Sequence, residues 1–256
     1  MQNNTFFEDS CPNKVIVLEE TTSTNDYLKD LLTNFKPLPQ YTAIMAKKQT
    51  AGKGQRGNTW LSQPSLNLTA SFLLNPINLS IQDQFLLTMI SSLAVRDVIA
   101  YHTQKTCLIK WPNDIMIDGK KIAGILIENK ISKSYIKHSI IGIGINIYQT
   151  NFPETINHKT TSVKLQNEYV NVEMLNIVNE IQQNLSRYQD ICQKDTLKLI
   201  ELYNNYLFRK NEKHNYIIDS KEVEGVIKKI EKDGLLQITV KNTVTKVDLK
   251  GITYIL

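Results

Sequence analysis

Lys53 and Arg56 stand in a run with three glycines, Gln49-Thr50-Ala51-Gly52-Lys53-Gly54-Gln55-Arg56-Gly57-Asn58-Thr59-Trp60, the segment with the clearest potential for chemistry. Glycines let backbone N–H groups approach an anion closely, and a turn with φ > 0 gathers them into a concave nest. The two basic side chains add charge. No Asp or Glu occurs from Leu31 to Gln82, so the local potential stays positive. The chemistry implied is phosphate or carboxylate binding, although a surface turn kept soluble by basic residues fits the run equally well. Gly52, Gly54 and Gly57 satisfy GxGxxG, but a dinucleotide fold needs a helix opening at the loop and an acid about 20 residues on. Pro64 interrupts any such helix, and the next acid is Asp83. A Walker A loop fails too, because Asn58 stands where its lysine is required.

Three further groups carry polar or charged residues at fixed spacing. They are Ser23-Thr24-Asn25, Lys110-Trp111-Pro112-Asn113-Asp114 followed by Lys121-Ile122-Ala123-Gly124-Ile125-Leu126, and Gly142-Ile143-Gly144-Ile145-Asn146. With the glycine-rich run, these resemble the biotin protein ligase family. Its hallmarks are a Ser-Thr-Asn, a GRGRRGxxW loop, a KWPND strand end with a following K-x-x-G-I-L strand, and a G-x-G-I-N strand. Each motif alone is weak; all four occur in the family's order from about Ser23 to the C-terminus.

The resemblance implies an α/β catalytic domain built on a mixed sheet, of the biotin/lipoate ligase type, over residues 1–209. A small C-terminal SH3-like β-barrel would occupy residues 210–256. It implies ATP-dependent activation of biotin, a substrate, to biotinyl-5'-AMP with Mg²⁺, then transfer to a lysine on the biotin carrier domain of a carboxylase. Ser23, Thr24, Asn25 and Gln49 correspond to the polar group receiving biotin's ureido ring. Lys53, Gly54 and Gln55 correspond to the loop over biotin's carboxylate, and Gly52, Arg56 and Gly57 to its contacts with the adenylate phosphate. Trp60 corresponds to the tryptophan beside the adenylate, with a half-buried core aromatic as the alternative. Lys121 corresponds to the lysine at the carboxylate–phosphate junction, which makes Lys121, Arg56 and Lys53 the expected catalytic residues. Strand alternation sends Lys120 and Lys121 to opposite faces, and the K-x-x-G register selects Lys121. Gly124 would let backbone approach the ligand.

Asn113, Asp114 and Asn146 correspond to the nucleotide side. Asp114 is also the candidate Mg²⁺ ligand, with a turn-capping aspartate as the alternative. Thr161-Ser162 corresponds to the family's Thr-Ser or to a simple helix cap. Lys53, Gln55 and Asn58 replace arginines common in the family loop; lysine keeps the charge without bidentate geometry, and the other two lose it. Lipoate protein ligase shares the implied fold and chemistry, but KWPND and GxGxxGxxW favour biotin. A non-catalytic biotin-binding module is disfavoured by Lys121 and Asp114.

Elements must position these groups. Val15–Leu18 is expected as a strand, followed by a helix carrying Leu28, Leu31 and Leu32 that Pro37 and Pro39 close. Strands are expected at 41–46, 66–74, 106–110, 115–117, 121–128 and 135–147, with Asp118-Gly119 as a hairpin turn. Ser80 should cap a helix through Ile81, Phe85, Met89 and Leu93, and helices should cover 172–188 and 196–208. After Arg209 short strands follow, with a turn at Asp233-Gly234.

The 256 residues can bury a substantial core, and 41% hydrophobic with 21% charged residues is ordinary globular composition. A net charge of +5 is too mild and dispersed to argue for DNA binding. Motifs beginning at Ser23 are expected to leave no room for a helix-turn-helix, so no specific nucleic-acid partner is expected. Cys11, Cys107 and Cys192 are odd in number and far apart, which reads as free thiols in a reducing compartment. The first residues lack a signal-like apolar stretch, and the run Ile140–Ile147 is far short of a membrane span. A cytoplasmic protein without membrane association is expected, and the family leaves room for a homodimer.

Overall fold

The structure is a computed structural model that describes residues 5–6, 14–34, 37–76, 78–249 and 251–255. Cys11 and the rest of the N-terminal stretch lie outside the described residues, as does the side chain of Arg56.

The first sheet has eight strands: β1 (Thr5–Phe6), β2 (Val15–Thr21), β3 (Ala43–Gln49), β4 (Asn67–Leu74), β5 (Leu108–Lys110), β6 (Asp114–Ile117), β7 (Lys120–Ser132) and β8 (Tyr135–Asn146). Their order is β1-β2-β3-β4-β8-β7-β6-β5. β2 and β3 are parallel, joined over one face by α1 (Thr24–Asn34), and the other pairs are antiparallel. Helices α2 (Phe85–Thr103), α5 (Met174–Lys194) and α6 (Thr196–Asn205) pack on the opposite face; the short α3 (Glu154–Asn157) and α4 (Val163–Gln166) lie in the connection. The mixed sheet expected from the sequence is present.

The sheet separates two cores. Leu28 and Leu32, one helical turn apart on α1, pack on Ile16, Leu18, Ile44, Ala46, Leu73 and Ile140. The larger core packs α2 and α5 onto the other face through Leu68, Phe72, Ile141, Ile143, Leu93 and Ile181. β4 is therefore buried on both sides along its whole length rather than alternating. By length and composition the helical stretch Ile81–Thr103 could cross a membrane, which the run Ile140–Ile147 could not. Because 67% of its apolar window is buried here, it serves as a core helix.

Several boundaries differ from expectation. Ser80 caps a 3-10 turn (Ile81–Asp83), accepting from the Gln82 N–H, and α2 proper starts at Phe85. α5 runs to Lys194, past the expected 188, and α6 stops at Asn205. Asp118 (φ 50°) and Gly119 (φ 74°) form the expected turn with two left-handed residues.

The second sheet, antiparallel and SH3-like, contains β9 (Lys213–Ile218), β10 (Lys221–Ile230), β11 (Leu236–Val240), β12 (Thr243–Val247) and β13 (Ile252–Tyr254), in the order β12-β11-β10-β9-β13. Its β10–β11 turn seats against the first sheet: Trp111 Nε1 donates to the Gly234 carbonyl at 3.1 Å. A Cβ at Gly234 would lie 2.5 Å from the Phe85 ring. Asn204 ties α6 to Ile230 through both backbone groups. Cys107 and Cys192 are free thiols, and burial pushes the Cys107 thiol up to about 11.

Candidate active site

The face of the sheet that is apolar beneath α1 changes character beyond the helix. Leu73 pairs with Ile140, Ser71 with Gly142 and Thr69 with Gly144; on the far side of β8, Ile140 faces Glu128, Gly142 faces Leu126 and Gly144 faces Gly124. Along β4 and β8 successive rows thus run from Leu73 and Ile140 to serine, threonine and glycine, and β7 passes from Glu128 and Leu126 to Gly124. This removal of side-chain volume makes the floor of a cavity of about 410 Å³. The first residues of α1, Gln49, the glycine-rich loop, Lys110–Asp114, Lys121 and β13 form its walls. The glycines are sterically required: a Cβ at Gly142 would collide with the Asn25 amide, and one at Gly144 with the Trp60 indole. Trp60 lies across Gly144 and Gly124, its buried indole N–H without a hydrogen-bond partner among the described residues.

One end of the cavity is lined by uncharged polar residues. Ser23, Thr24 and Asn25 are each at most 4% exposed. The Thr24 N–H donates to Gln49 Oε1 (2.9 Å), and Asn25 Nδ2 donates to Glu128 Oε2 (2.7 Å). Ser71 Oγ lies 2.7 Å from Thr24 Oγ1 and 2.6 Å from Asn25 Oδ1.

The other end is charged. Asp114 Oδ1 meets Lys121 Nζ at 2.6 Å and Oδ2 meets Lys110 Nζ at 3.1 Å. Lys121 Nζ is also 5.6 Å from the Trp60 ring centroid, and Lys110 Nζ 5.5 Å from that of Tyr254 on β13. Two ammonium groups around one carboxylate leave a net positive charge for an incoming anion. Plain alternation back from Gly124 would put Lys120, not Lys121, on this face. A register shift intervenes: Asp114 pairs with Gly124 and Ile115 with Ala123, but Met116 pairs with Lys121. Ile122 is the extra residue of a bulge, which turns Lys121 into the cavity and leaves Lys120 exposed. Asn113 lines the cavity while its amide donates to the Ile125 carbonyl.

The glycine-rich loop is a small closed hairpin. Gly54 N–H donates to Asn58 O (2.7 Å), Asn58 N–H to Gln55 O (3.1 Å) and Trp60 N–H to Gly52 O (3.0 Å). Several of its amides therefore have partners within the loop, which limits the free nest that glycine content suggests. Gly52 closes the base, where a Cβ would lie 2.5 Å from Trp60 O, and Gly57 takes φ 79°. Lys53 points to Asp26 at the start of α1, both carboxylate oxygens within 2.8 Å. That hydrogen bond holds its ammonium above the usual lysine range, against a smaller opposing effect of desolvation.

Of the residues expected at the site, Ser23, Thr24, Asn25, Gln49, Lys53, Gly54, Gln55, Trp60, Asn113, Asp114, Lys121 and Gly124 line this one cavity. Gly52, Gly57 and Asn146 do not. Asn146 is buried, and its amide donates to Thr161 O at 2.9 Å, a brace between β8 and the strand-like segment beside Lys121. Ser162 caps α4, accepting from the Leu165 N–H, as the simple-cap reading has it. Lys110, Ser71, Glu128 and the β13 wall were not among the expected residues. Lys110 had a signal, lying one turn of sequence from Asp114 in the same motif; the others needed the strand register.

Residues 17–146 match the model of the Biotin/lipoate A/B protein ligase family, half of the chain, and the protein belongs to that family. The Bifunctional ligase/repressor BirA of Bacillus subtilis is 38% identical over 127 residues, 49% of this chain and 39% of that protein. The BirA of Escherichia coli is 26% identical over 226 residues, 87% of this chain and 68% of that protein. The biotin–[acetyl-CoA-carboxylase] ligase of Mycobacterium tuberculosis is 31% identical over 153 residues, covering 57% and 53%. The chain spans less than half the length of the Bacillus relatives it matches. Among solved structures, the biotin protein ligase of Aquifex aeolicus in complex with biotin and ATP superposes with a TM-score of 0.76 at 24% identity. It covers 93% of this chain and 97% of that one. The Leishmania major enzyme in complex with biotinyl-5-AMP gives 0.64 at 25% identity, covering 93% and 99%.

Proposed function

We propose that the chain is a biotin protein ligase, activating biotin with ATP and transferring it to a lysine of a biotin carrier domain. The observation that carries this reading is the polarity of one cavity. A neutral donor-and-acceptor cluster (Thr24, Asn25, Gln49) lies at one end and a lysine pair on Asp114 at the other, over a glycine floor. A cyclic urea suits the first end, and a carboxylate meeting a phosphate suits the second. The names of the similar proteins agree with this reading.

In the first half-reaction a biotin carboxylate oxygen bonds to the α-phosphorus of ATP, and the bond from that phosphorus to the β-phosphate bridging oxygen breaks, releasing pyrophosphate. Lys121 would hold the carboxylate and α-phosphate together, where oriented positive charge strengthens as charge develops. Lys110, on the other Asp114 oxygen, would accompany the departing phosphates. In the second half-reaction a neutral lysine amine attacks the acyl carbon, the carbon–oxygen bond to phosphate breaks, AMP leaves and the amine gives up one proton to solvent. Residues 1–209 would do this chemistry, while the barrel, residues 210–256, walls the nucleotide side through Ile252–Tyr254.

Mg²⁺ would arrive with the ATP substrate. Among the described residues no cluster of three His, Cys, Asp or Glu could hold a resident ion, and Asp114 is the single acid lining the cavity. One carboxylate plus substrate phosphates is a normal magnesium donor set. The ion would supply neutralisation of phosphate charge. The test is biotin-dependent exchange of labelled pyrophosphate into ATP. Exchange with biotin supports the reading, and exchange with lipoate alone would transfer it to the lipoate branch of the family.

A further inference from the structure

We propose that Glu128, outside the residues the family motifs single out, is a positioning residue that fixes which way the hydrogen bonds run at the neutral end of the cavity, and thereby its affinity for a cyclic urea. The inference rests on the functional reading above. The starting point is an ambiguity in Ser71. Its hydroxyl has one proton, yet it lies within hydrogen-bond distance of both Thr24 Oγ1 (2.7 Å) and Asn25 Oδ1 (2.6 Å). A buried chain of hydroxyls and amides can run in either direction, and the direction decides which lone pairs and protons remain for a ligand.

Glu128 removes the ambiguity. A carboxylate accepts only, so the atom of Asn25 that meets Glu128 Oε2 at 2.7 Å must be the amide nitrogen. Asn25 Oδ1 then faces Ser71 and takes its proton. Ser71 Oγ in turn accepts the Thr24 hydroxyl proton, and the 3.2 Å approach of Thr24 Oγ1 to Gln49 Oε1 is left without a proton. Gln49 Oε1 is held by the Thr24 N–H alone, at 2.9 Å. In this direction Thr24 Oγ1 keeps lone pairs and Asn25 keeps its second N–H. The cluster thus offers both an acceptor and a donor, as a urea requires. With the chain reversed, Asn25 would donate to Ser71 and Ser71 to Thr24, and Thr24 would be committed to Gln49.

The fold supports this assignment. Glu128 sits two rows from Gly124 on the floor-side face of β7, opposite Ile140, and a Cβ at Gly142 would exclude Asn25 from the place where it reaches both Ser71 and Glu128. Asn25, Thr24 and Ser71 are all less than 5% exposed, so water does not compete to set their orientation.

The experiment is steady-state pyrophosphate release by the full chain, with a biotin carrier domain as acceptor, for wild type, Glu128→Gln, Ser71→Ala and the double variant, with melting temperatures. Glutamine keeps the volume but can present its NH₂ to Asn25, allowing the chain to reverse. Glu128→Gln is expected to raise the biotin KM about tenfold, the scale of one misdirected buried hydrogen bond, with the ATP KM and kcat within about twofold. In the Ser71→Ala background, where the chain is already cut, the same change is expected to cost less than about threefold. A biotin KM within twofold of wild type, a parallel loss for both substrates, or full additivity with Ser71→Ala would each overturn the inference. Should Glu128→Gln fail to fold, Ser71→Ala alone must raise the biotin KM selectively, and an unchanged KM overturns it. Inactive wild-type protein would instead remove the functional reading beneath it.

Discussion

Lys121 Nζ lies 2.6 Å from Asp114 Oδ1, and it does so because Ile122 bulges out of register between them. Without the bulge, Lys120 would take that face of β7. Lys121→Ala is therefore expected to reduce adenylate formation at least about a hundredfold, the usual scale for removing one preorganised charge, while biotin binding stays measurable. Lys120→Ala should leave turnover within about twofold, as a solvated surface lysine does. Single-turnover assays of both variants decide it, and the reverse ranking would show that the bulge does not aim the catalytic lysine.

Gly144→Ala tests the floor. The new Cβ collides with the Trp60 indole, so stability should fall by about 1–3 kcal/mol, the range for overpacking. Turnover should fall by at least about tenfold, equivalent to about 1.4 kcal/mol. Gly119→Ala is the matched control. It has φ 74° and open space around the added carbon, so it costs about 1–2 kcal/mol in backbone strain at a position outside the cavity lining and should leave kcat within about twofold. Equal losses of turnover in both would mean that Gly144 acts through stability alone.

How much of this was legible in the sequence depended on whether the signal was local. The Asp118-Gly119 turn, the Leu28–Leu32 face of α1 and the strand run after Arg209 are short-range patterns, and they appear as expected. The turns at Asp219-Ser220 and Lys241-Asn242 also use two left-handed residues, with φ between 48° and 65°, but contain no glycine to announce them. Motif spacing pointed to Lys121, where uninterrupted alternation back from Gly124 would put Lys120; a one-residue bulge reconciles the two and leaves no mark in hydrophobic patterning. Ser71 follows Asn67 and Thr69 on one face of β4, and Glu128 lies beside a basic hairpin. Each is unremarkable until strand register brings it to Asn25.

Gln55 lines the cavity where the family loop commonly carries arginine. A glutamine amide offers phosphate an uncharged donor, whereas a guanidinium adds its own positive charge and a bidentate fork. Gln55→Arg should slow release of biotinyl-AMP about tenfold, as affinity changes at one interface appear mainly in the off-rate. Affinity for biotin alone, which lacks the phosphate, should hardly change. A chase experiment with labelled adenylate reads the off-rate, and an unaltered value would mean that Gln55 faces away from the phosphate.

The mild net charge of +5 supports only weak, sequence-independent contact with duplex DNA at physiological salt. Fluorescence anisotropy with unrelated duplexes should give only weak binding that disappears as salt rises. Tight binding to one sequence at elevated salt would contradict this.

The central claim is tested most directly by mixing the full chain with ATP, Mg²⁺, labelled biotin and a biotin carrier domain, then locating the label by mass spectrometry. The account predicts one biotinyl group in amide linkage to a single carrier lysine, formed only with ATP, and lost in the Lys121→Ala variant. Label transferred from lipoate but not from biotin, or biotin bound without any transfer, would contradict it.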